Sequence, residues 1–444
     1  MDVASKDFKL RVDAKIAEIC PGDLTSASIR EIVHLVRDVE RGTGVEFIRM
    51  EMGVPGLPPT KEGVEAEIRA LENGVASKYP PIDGIPELKT AASRFLKSFL
   101  NVEIDPENCV PTVGAMQAAF AVFMTLCRAD ASKNKALFLD PGFPVQKHQL
   151  DTLGVEYISL DVYDHRGDAL RSALEPLLEK GDISAIVYST PNNPAWICLD
   201  DEELKTIGSL AAEHGAVVVE DLAYFAMDFR RDYSRPGVPP YPPTVAKWTD
   251  DYILLLSSSK IFSYAGQRIG FMAVSPNLPK RRFPGLKRFF PSDEFGHALV
   301  YGALYALSAG TSHSAQVALA AMLDAANQGK LDFVSGVEEY ARRAKTMKKI
   351  FLDHGFELVY AKDADEPVGN GFYFTFAYPG MSGDELMRNL LRHGISAISL
   401  AITGSVRRDG MRACVSLIHE NRFDELRRRL ELFTKDAAGR AEHA

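Results

Sequence analysis

The sequence predicts an α/β protein with a mostly parallel central sheet and enough chain for more than one lobe. Two observations carry that expectation. First, apolar strand-like runs alternate with a helical pattern through the middle of the chain. Lys135 to Leu139, Val155 to Leu160 and Ala185 to Ser189 read as strands, and Ala169 to Glu179 as a helix. This is the rhythm of βαβ units, whose sheets collect ligands beyond the carboxyl ends of their strands. Second, 444 residues can bury a core larger than a single lobe usually holds.

Composition narrows the function classes. The chain is 46% hydrophobic and 25% charged, as in a globular enzyme, and its formal net charge of -9 argues against a nucleic-acid partner. No apolar stretch reaches the length of a membrane span, and Met1 to Arg11 is mixed in charge without the apolar core of a signal peptide. Neither a membrane partner nor export is expected, which leaves the cytoplasm. The five cysteines (Cys20, Cys109, Cys127, Cys198 and Cys414) form no C-x-x-C pair. They read as reduced thiols and supply no metal site. Internal repeats and low-complexity tracts are absent from the sequence.

The elements follow in order. Ser28 to Glu31 has the spacing of a capping box, and Ile29, Ile32, Val33 and Val36 continue it as one helical face closed by Gly42 and Gly44. Glu46 to Met50 reads as a short strand running into Gly53. Pro86 suits a first helical position, with Leu88, Ala92, Phe95 and Phe99 as the buried stripe behind it. Gly114-Ala115-Met116 opens a long apolar helix, whose exposed N–H groups and dipole favour an anion. Ala216 to Val219 is an apolar strand ending in Glu220-Asp221, and a carboxylate there is costly unless paired. Arg230 to Thr244 is a proline-rich loop and Lys280 to Arg288 a basic one, neither with an assigned role. Past about Ala325 a long helix leads away from the sheet. Strand-like runs follow at Phe356 to Tyr360 and Gly371 to Phe376, then a helix from Asp384 to His393. Met411 to Leu417 alternates as a half-buried strand, and Glu420 to Lys435 is an amphipathic helix.

The chemistry concentrates in Ser257-Ser258-Ser259-Lys260-Ile261-Phe262-Ser263-Tyr264-Ala265-Gly266-Gln267-Arg268-Ile269-Gly270. The apolar run Tyr252 to Leu256 enters it as a buried strand, and Ile269 to Val274 leaves it. Desolvation after a buried strand would lower a lysine's pKa and leave the free amine that can attack a carbonyl, while on the lysine alone a surface loop beside a serine turn is the simpler reading.

This stretch resembles the lysine motif of the class I/II pyridoxal-phosphate aminotransferases (fold type I, aspartate-aminotransferase-like), S-x-S-K-x-F-x-x-x-G-x-R-x-G, with every fixed position present from Ser257 to Gly270. The resemblance implies that Lys260 forms a Schiff base with the aldehyde of pyridoxal 5'-phosphate, and that Ser257 and Arg268 hold its phosphate. Further segments match in family order. Tyr79-Pro80-Pro81-Ile82-Asp83-Gly84 is similar to a loop whose tyrosine reaches the phosphate of the neighbouring subunit. Gly114, Ala115 and Met116 stand at the phosphate cup, where many relatives have a hydroxyl or a lysine, so backbone amides must do the holding. Phe143 matches the ring stacked on the pyridine. Pro191-Asn192-Asn193-Pro194 is close to N-N-P-T-G, with Asn193 donating to the phenolic oxygen and Ala195-Trp196 in place of Thr-Gly. Asp221-Leu222-Ala223-Tyr224 matches D-x-A-Y: Asp221 faces the protonated pyridine nitrogen, and Tyr224 shares the phenolic oxygen. Arg412 resembles the arginine that grips the substrate α-carboxylate, and Gly53 the glycine that lets this carboxylate approach the backbone; the resemblance places Asn193 with them in the substrate-binding set.

The resemblance, spanning roughly Gly53 to Leu417, implies a large cofactor lobe over residues 61–325 and a smaller α+β lobe from both chain ends, 1–60 with 326–444. It implies a homodimer with shared active sites, acting on an amino acid and a 2-oxo acid by transamination. Lys260, Asp221 and Tyr224 would be its catalytic residues. A β-eliminating lyase would share all of these residues, and a non-catalytic cofactor-binding module is the reading from another class.

Overall fold

Residues 1–441 are described by a computed structural model of the protein. The chain opens with α1 (Lys6–Ile19) and α2 (Ile29–Thr43). The capping box at Ser28 and Glu31 forms as expected, and α2 ends on Gly44 at φ 71°. Next comes β1 (Ile48–Arg49), shorter than the strand expected from Glu46 to Met50 because its ladder partner, Ile395–Ser396, is two residues long. The path then runs α3 (Lys61–Glu72), α4 (Pro86–Leu100), β2 (Cys109–Thr112), α5 (Gly114–Ala129), β3 (Lys135–Asp140), α6 (Pro144–Leu153) and β4 (Tyr157–Asp161). It continues through α7 (Ala169–Leu178), β5 (Ile183–Ser189), α8 (Asp201–His214), β6 (Val217–Leu222), β7 (Tyr252–Ser257), the single turn α9 (Ser258–Ile261) and β8 (Gly270–Val274).

The described chain divides into two compact units. One comprises Met1–Gly56, Asn193–Ile197 and Glu338–Ala444; the other comprises Leu57–Asn192 and Cys198–Val337. The first therefore takes in a five-residue stretch from mid-chain, and the second extends to Val337. The resemblance implied lobes bounded at 60/61 and 325/326.

The second unit holds the seven-stranded sheet, ordered β2-β8-β7-β6-β5-β3-β4. Strands β7, β6, β5, β3 and β4 run parallel, and β8 and β2 close the other edge antiparallel. The central strands β6, β7 and β8 are buried throughout, which explains why they read as continuous apolar runs rather than alternating ones. Helix α5 packs on this sheet, its buried Ala118, Val122, Phe123 and Leu126 meeting Val219, Ile253 and Met272 in one core. Helix His313–Asn327 packs against α3 and α4. An aromatic cluster of Phe95, Phe99, Phe225, Phe262 and Phe333 lies in the same unit, with Phe262 5.5 Å from Phe333 between ring centroids.

The first unit holds β9 (Glu357–Leu358), the two-residue hairpin β10 (Lys362–Asp363) and β11 (Glu366–Pro367), β12 (Tyr373–Ala377), β13 (Ile395–Ser396), β14 (Ile398–Ser399) and β15 (Met411–Cys414). Its four-stranded antiparallel sheet is ordered β14-β15-β12-β9. The half-buried strand expected from 411 to 417 is instead four residues long and buried on both faces. Beyond it the chain turns through Glu420–Arg422 into helix Phe423–Ala441. Among the described residues no helix is long and apolar enough to cross a membrane, and no group of three His, Cys, Asp or Glu could hold a metal ion.

Candidate active site

The lysine stretch is a loop braced on every side by its own unit. β7 ends at Ser257, which caps the turn by accepting from the Ser259 N–H (3.2 Å). Lys260 follows, partly buried, on that single turn. Ser258 Oγ donates to the Ile269 carbonyl at 2.7 Å, tying the two limbs of the loop together. The carbonyl of Phe262 accepts from both the N–H and the hydroxyl of Thr60, at 3.0 and 2.9 Å. The Phe262 ring is buried in the aromatic cluster, a contribution of about 1.5–3 kcal/mol. Tyr264 donates its hydroxyl to the buried Glu67 carboxylate, which also accepts from Ser314 Oγ at 2.9 Å. Burial, then the bond to Glu67, push the Tyr264 phenol above its ordinary range and keep it a neutral donor.

Beside this loop a helix N-terminus opens against an arginine. Gly114 opens α5 at φ 65°, and a Cβ there would stand 2.9 Å from Arg268 Nη2. The guanidinium therefore lies against the first turn of a sixteen-residue helix, whose leading N–H groups lack intrahelical partners. Gly270 makes this convergence sterically feasible: a Cβ on it would lie 3.4 Å from both Gly114 Cα and Ser257 Cα and would overlap the Leu256 carbonyl. Ala115 and Met116, both partly buried, are the next two residues of the helix.

Asp221, the next-to-last residue of β6, pairs with Leu255 of β7, two residues before Ser257. Its Oδ2 accepts from Gln146 Nε2 (2.8 Å) and its Oδ1 from the Ala223 N–H (3.0 Å). Burial pushes this carboxyl up to about 6, since two neutral donors do not replace the water it has lost. A cationic N–H brought to it would restore the anion. Phe143 caps α6, half-buried, one turn before Gln146, and Tyr224 is buried three residues after Asp221. Tyr79 stands apart from all of these, 97% exposed.

In the first unit, Arg412 is 1% exposed. Its Nη2 donates to the Glu51 carbonyl (2.5 Å) and its Nη1 to Asn193 Oδ1 (3.2 Å), while its Nε–H has no hydrogen-bond partner. Among the described residues no carboxylate pairs with it. A buried guanidinium held only by neutral acceptors is a costly arrangement that an incoming carboxylate would relieve. Tyr373 covers it, with Arg412 Cζ 4.5 Å from the ring centroid. Gly53 packs directly on the Tyr373 hydroxyl, where any Cβ would overlap it.

Residues 45–430 match the sequence profile of the aminotransferase class I and II family. The chain belongs to that family. Among curated proteins it is 27% identical over 259 residues to a probable aspartate aminotransferase of Methanocaldococcus jannaschii, covering 58% of this chain and 63% of that protein. It is 28% identical over 263 residues to transaminase BacF of Bacillus subtilis, covering 57% and 62%. The matched stretch thus spans about three fifths of those relatives' length. Among solved structures, an aspartate aminotransferase double mutant from Thermus thermophilus superposes with a TM-score of 0.73 at 20% identity, over 96% of this chain and 98% of that one. An alanine aminotransferase from Pyrococcus furiosus gives 0.76 at 20% identity, over 93% and 98%. The fold is that of aspartate aminotransferase, as the resemblance implied.

Gln146, Tyr373, Glu51 and Glu67 escaped the sequence reading. Only Tyr373 left a trace. In the β12–β15 register it pairs with Cys414, two places from Arg412, so the alternation in both strands puts it on the arginine's face.

Proposed function

We propose that the protein is a pyridoxal 5'-phosphate-dependent aminotransferase that moves the amino group of an α-amino acid to a 2-oxo acid. The observation that carries this is the convergence within one unit of a lysine, a helix N-terminus set against an arginine and a buried carboxylate in want of a cation. The donor set suits the cofactor at three separate points. Gly114, Ala115, Met116, Ser257 and Arg268 offer N–H, hydroxyl and guanidinium groups to a phosphate. Asp221, kept at about 6 by burial, offers an acceptor to a pyridine N–H. Lys260 offers an amine to an aldehyde. When bound, the cofactor supplies an electron sink for the charge left at the substrate Cα.

Every further role falls to this chain's own residues. Lys260 would hold the cofactor covalently at rest, and its freed amine would be the one mobile base that takes the proton from the substrate Cα and returns it during transfer. Asp221 would retain the proton on the ring nitrogen, Phe143 would cover the ring, and Asn193 and Tyr224 would hydrogen-bond its phenolic oxygen. Arg412 receives the α-carboxylate of amino acid and oxo acid alike, with Gly53 leaving backbone room for it. The exposed Tyr79 supports a homodimer in which this phenol reaches the partner's phosphate; a monomer in sedimentation at working concentration would remove that part of the reading. Five cysteines outside any disulfide suit a reducing compartment such as the cytoplasm, which fractionation of the native host would test.

The test is borohydride reduction of the cofactor-loaded protein followed by peptide mapping. The label is expected on Lys260 and is lost in Lys260→Ala, with activity falling about 10⁴-fold. A label on another lysine ends the assignment. Amino-group exchange between an amino acid and a 2-oxo acid supports transfer, whereas ammonia release without exchange would make the protein a lyase.

A further inference from the structure

Trp196 occupies an improbable backbone position for its size. Its φ is 62°, in the left-handed region where a side chain crowds the following carbonyl and which glycine tolerates best. The residue is nonetheless 1% exposed. Its indole fills the space above Gly371, where any Cβ would overlap Cε2 and Cζ2 of the ring. From there it meets Tyr373 edge to face, with centroids 6.2 Å apart and planes inclined at 67°. Tyr373 in turn lies against the Arg412 guanidinium, 4.5 Å from centroid to Cζ.

Strained backbone persists where the packing around it over-determines the conformation, and it gathers at functional sites. The packing here leads directly to Arg412. Glu51 and Asn193 fix one arc of the guanidinium plane by hydrogen bonds, and the Tyr373 ring closes off a face. An anion is then confined to the plane of the fork, where two parallel N–H bonds to a carboxylate are available. We propose that Trp196 is a positioning residue for carboxylate recognition. By occupying the notch at Gly371 it holds Tyr373 against Arg412, and so sets the plane in which the guanidinium meets the substrate. This rests on the carboxylate-binding role given to Arg412 above. It also gives a physical function to the Ala195-Trp196 pair that replaces the family's Thr-Gly.

The experiment uses cofactor-loaded protein and two probes, 2-methylalanine and its carboxamide. Neither has a proton at Cα, so both bind without turnover, and binding is read from the absorbance of the cofactor. In the parent protein the carboxylate is expected to bind more tightly than the amide. Trp196→Gly suits the backbone and is expected to fold, to retain the reducible bond at Lys260, and to weaken 2-methylalanine about tenfold with the amide changed less than about twofold. Trp196→Phe keeps a smaller ring in the notch and should recover about half of that loss on a logarithmic scale. If Trp196→Gly fails to fold, Trp196→Phe alone decides by the same ratio. Equal weakening of both probes, or an unchanged ratio, would overturn the proposal and leave Trp196 as core filling. If the parent itself binds the amide as tightly as the acid, the role of Arg412 fails first and the inference falls with it.

Discussion

Asp221→Asn in the cofactor-free protein gives the most quantitative check on the site. The carboxyl is buried, accepts two neutral hydrogen bonds, and sits at about 6 against an ordinary value of 3.8. As pH rises, the unfolded chain ionises this residue first, so between about pH 4 and 6 the folded state holds the extra proton and stability falls. Above about pH 6 both states are ionised and the cost is constant, at about 3 kcal/mol for a displacement of that size. Asparagine carries no such cost. Its Oδ1 can accept from the Ala223 N–H, and Gln146 can turn its amide to present oxygen to the new Nδ2. The variant should therefore gain on the parent as pH rises, by about half the full amount near pH 5 and nearly all of it near pH 7. Urea unfolding of both cofactor-free proteins at about pH 5 and about pH 7.5 measures the difference. The neighbouring Glu220, raised to about 7 by burial, and Asp140, raised to about 6 by burial, titrate in both proteins and cancel from it. A gap that does not widen with pH, or a variant less stable near pH 7.5, would refute the argument. Loading the cofactor should reverse the order, because only the parent can accept an ion-paired N–H.

Two further perturbations test the other points of contact. Gly114→Ala puts a methyl group 2.9 Å from Arg268 Nη2 and forces a side chain onto a backbone at φ 65°, a cost of about 1 kcal/mol. Because Arg268 is exposed it can swing aside, so cofactor affinity rather than folding should suffer, by about tenfold in a fluorescence titration; unchanged affinity would place the phosphate elsewhere. Arg412→Lys keeps the charge but loses the planar fork. It should raise KM for amino acid and 2-oxo acid together by about 100-fold while the cofactor absorbance stays as in the parent. A rise for only one substrate would contradict a shared carboxylate site.

Much of the secondary structure was legible because its signals are local. Pro86 as first helical residue, the Ser28 capping box and the apolar strands β3, β5, β6 and β7 each depend on neighbours a few residues away. The short strands misled for the converse reason. Phe356 to Tyr360 has the composition of a strand, yet only Glu357–Leu358 joins a ladder, since its partner β12 pairs there through Phe376 and Ala377. The capture of Asn193–Ile197 by the unit built from the chain ends carries no compositional mark at all.

By itself the sequence determined the order of chemical groups along the chain: a lysine after a buried strand, an acid at the end of another, a glycine opening a helix, an arginine within a strand. Those follow from side-chain type and spacing, which are local quantities. Tertiary structure alone decided what each group faces. Gln146 reaches Asp221 across 75 positions, Glu67 receives Tyr264 across 197, and Asn193 meets Arg412 across 219. The indole of Trp196 finds its place only because Gly371 leaves the room. Hydrogen bonds and ring contacts form over a few ångströms whatever the separation along the chain, so folding had to bring those partners together before their roles could be read.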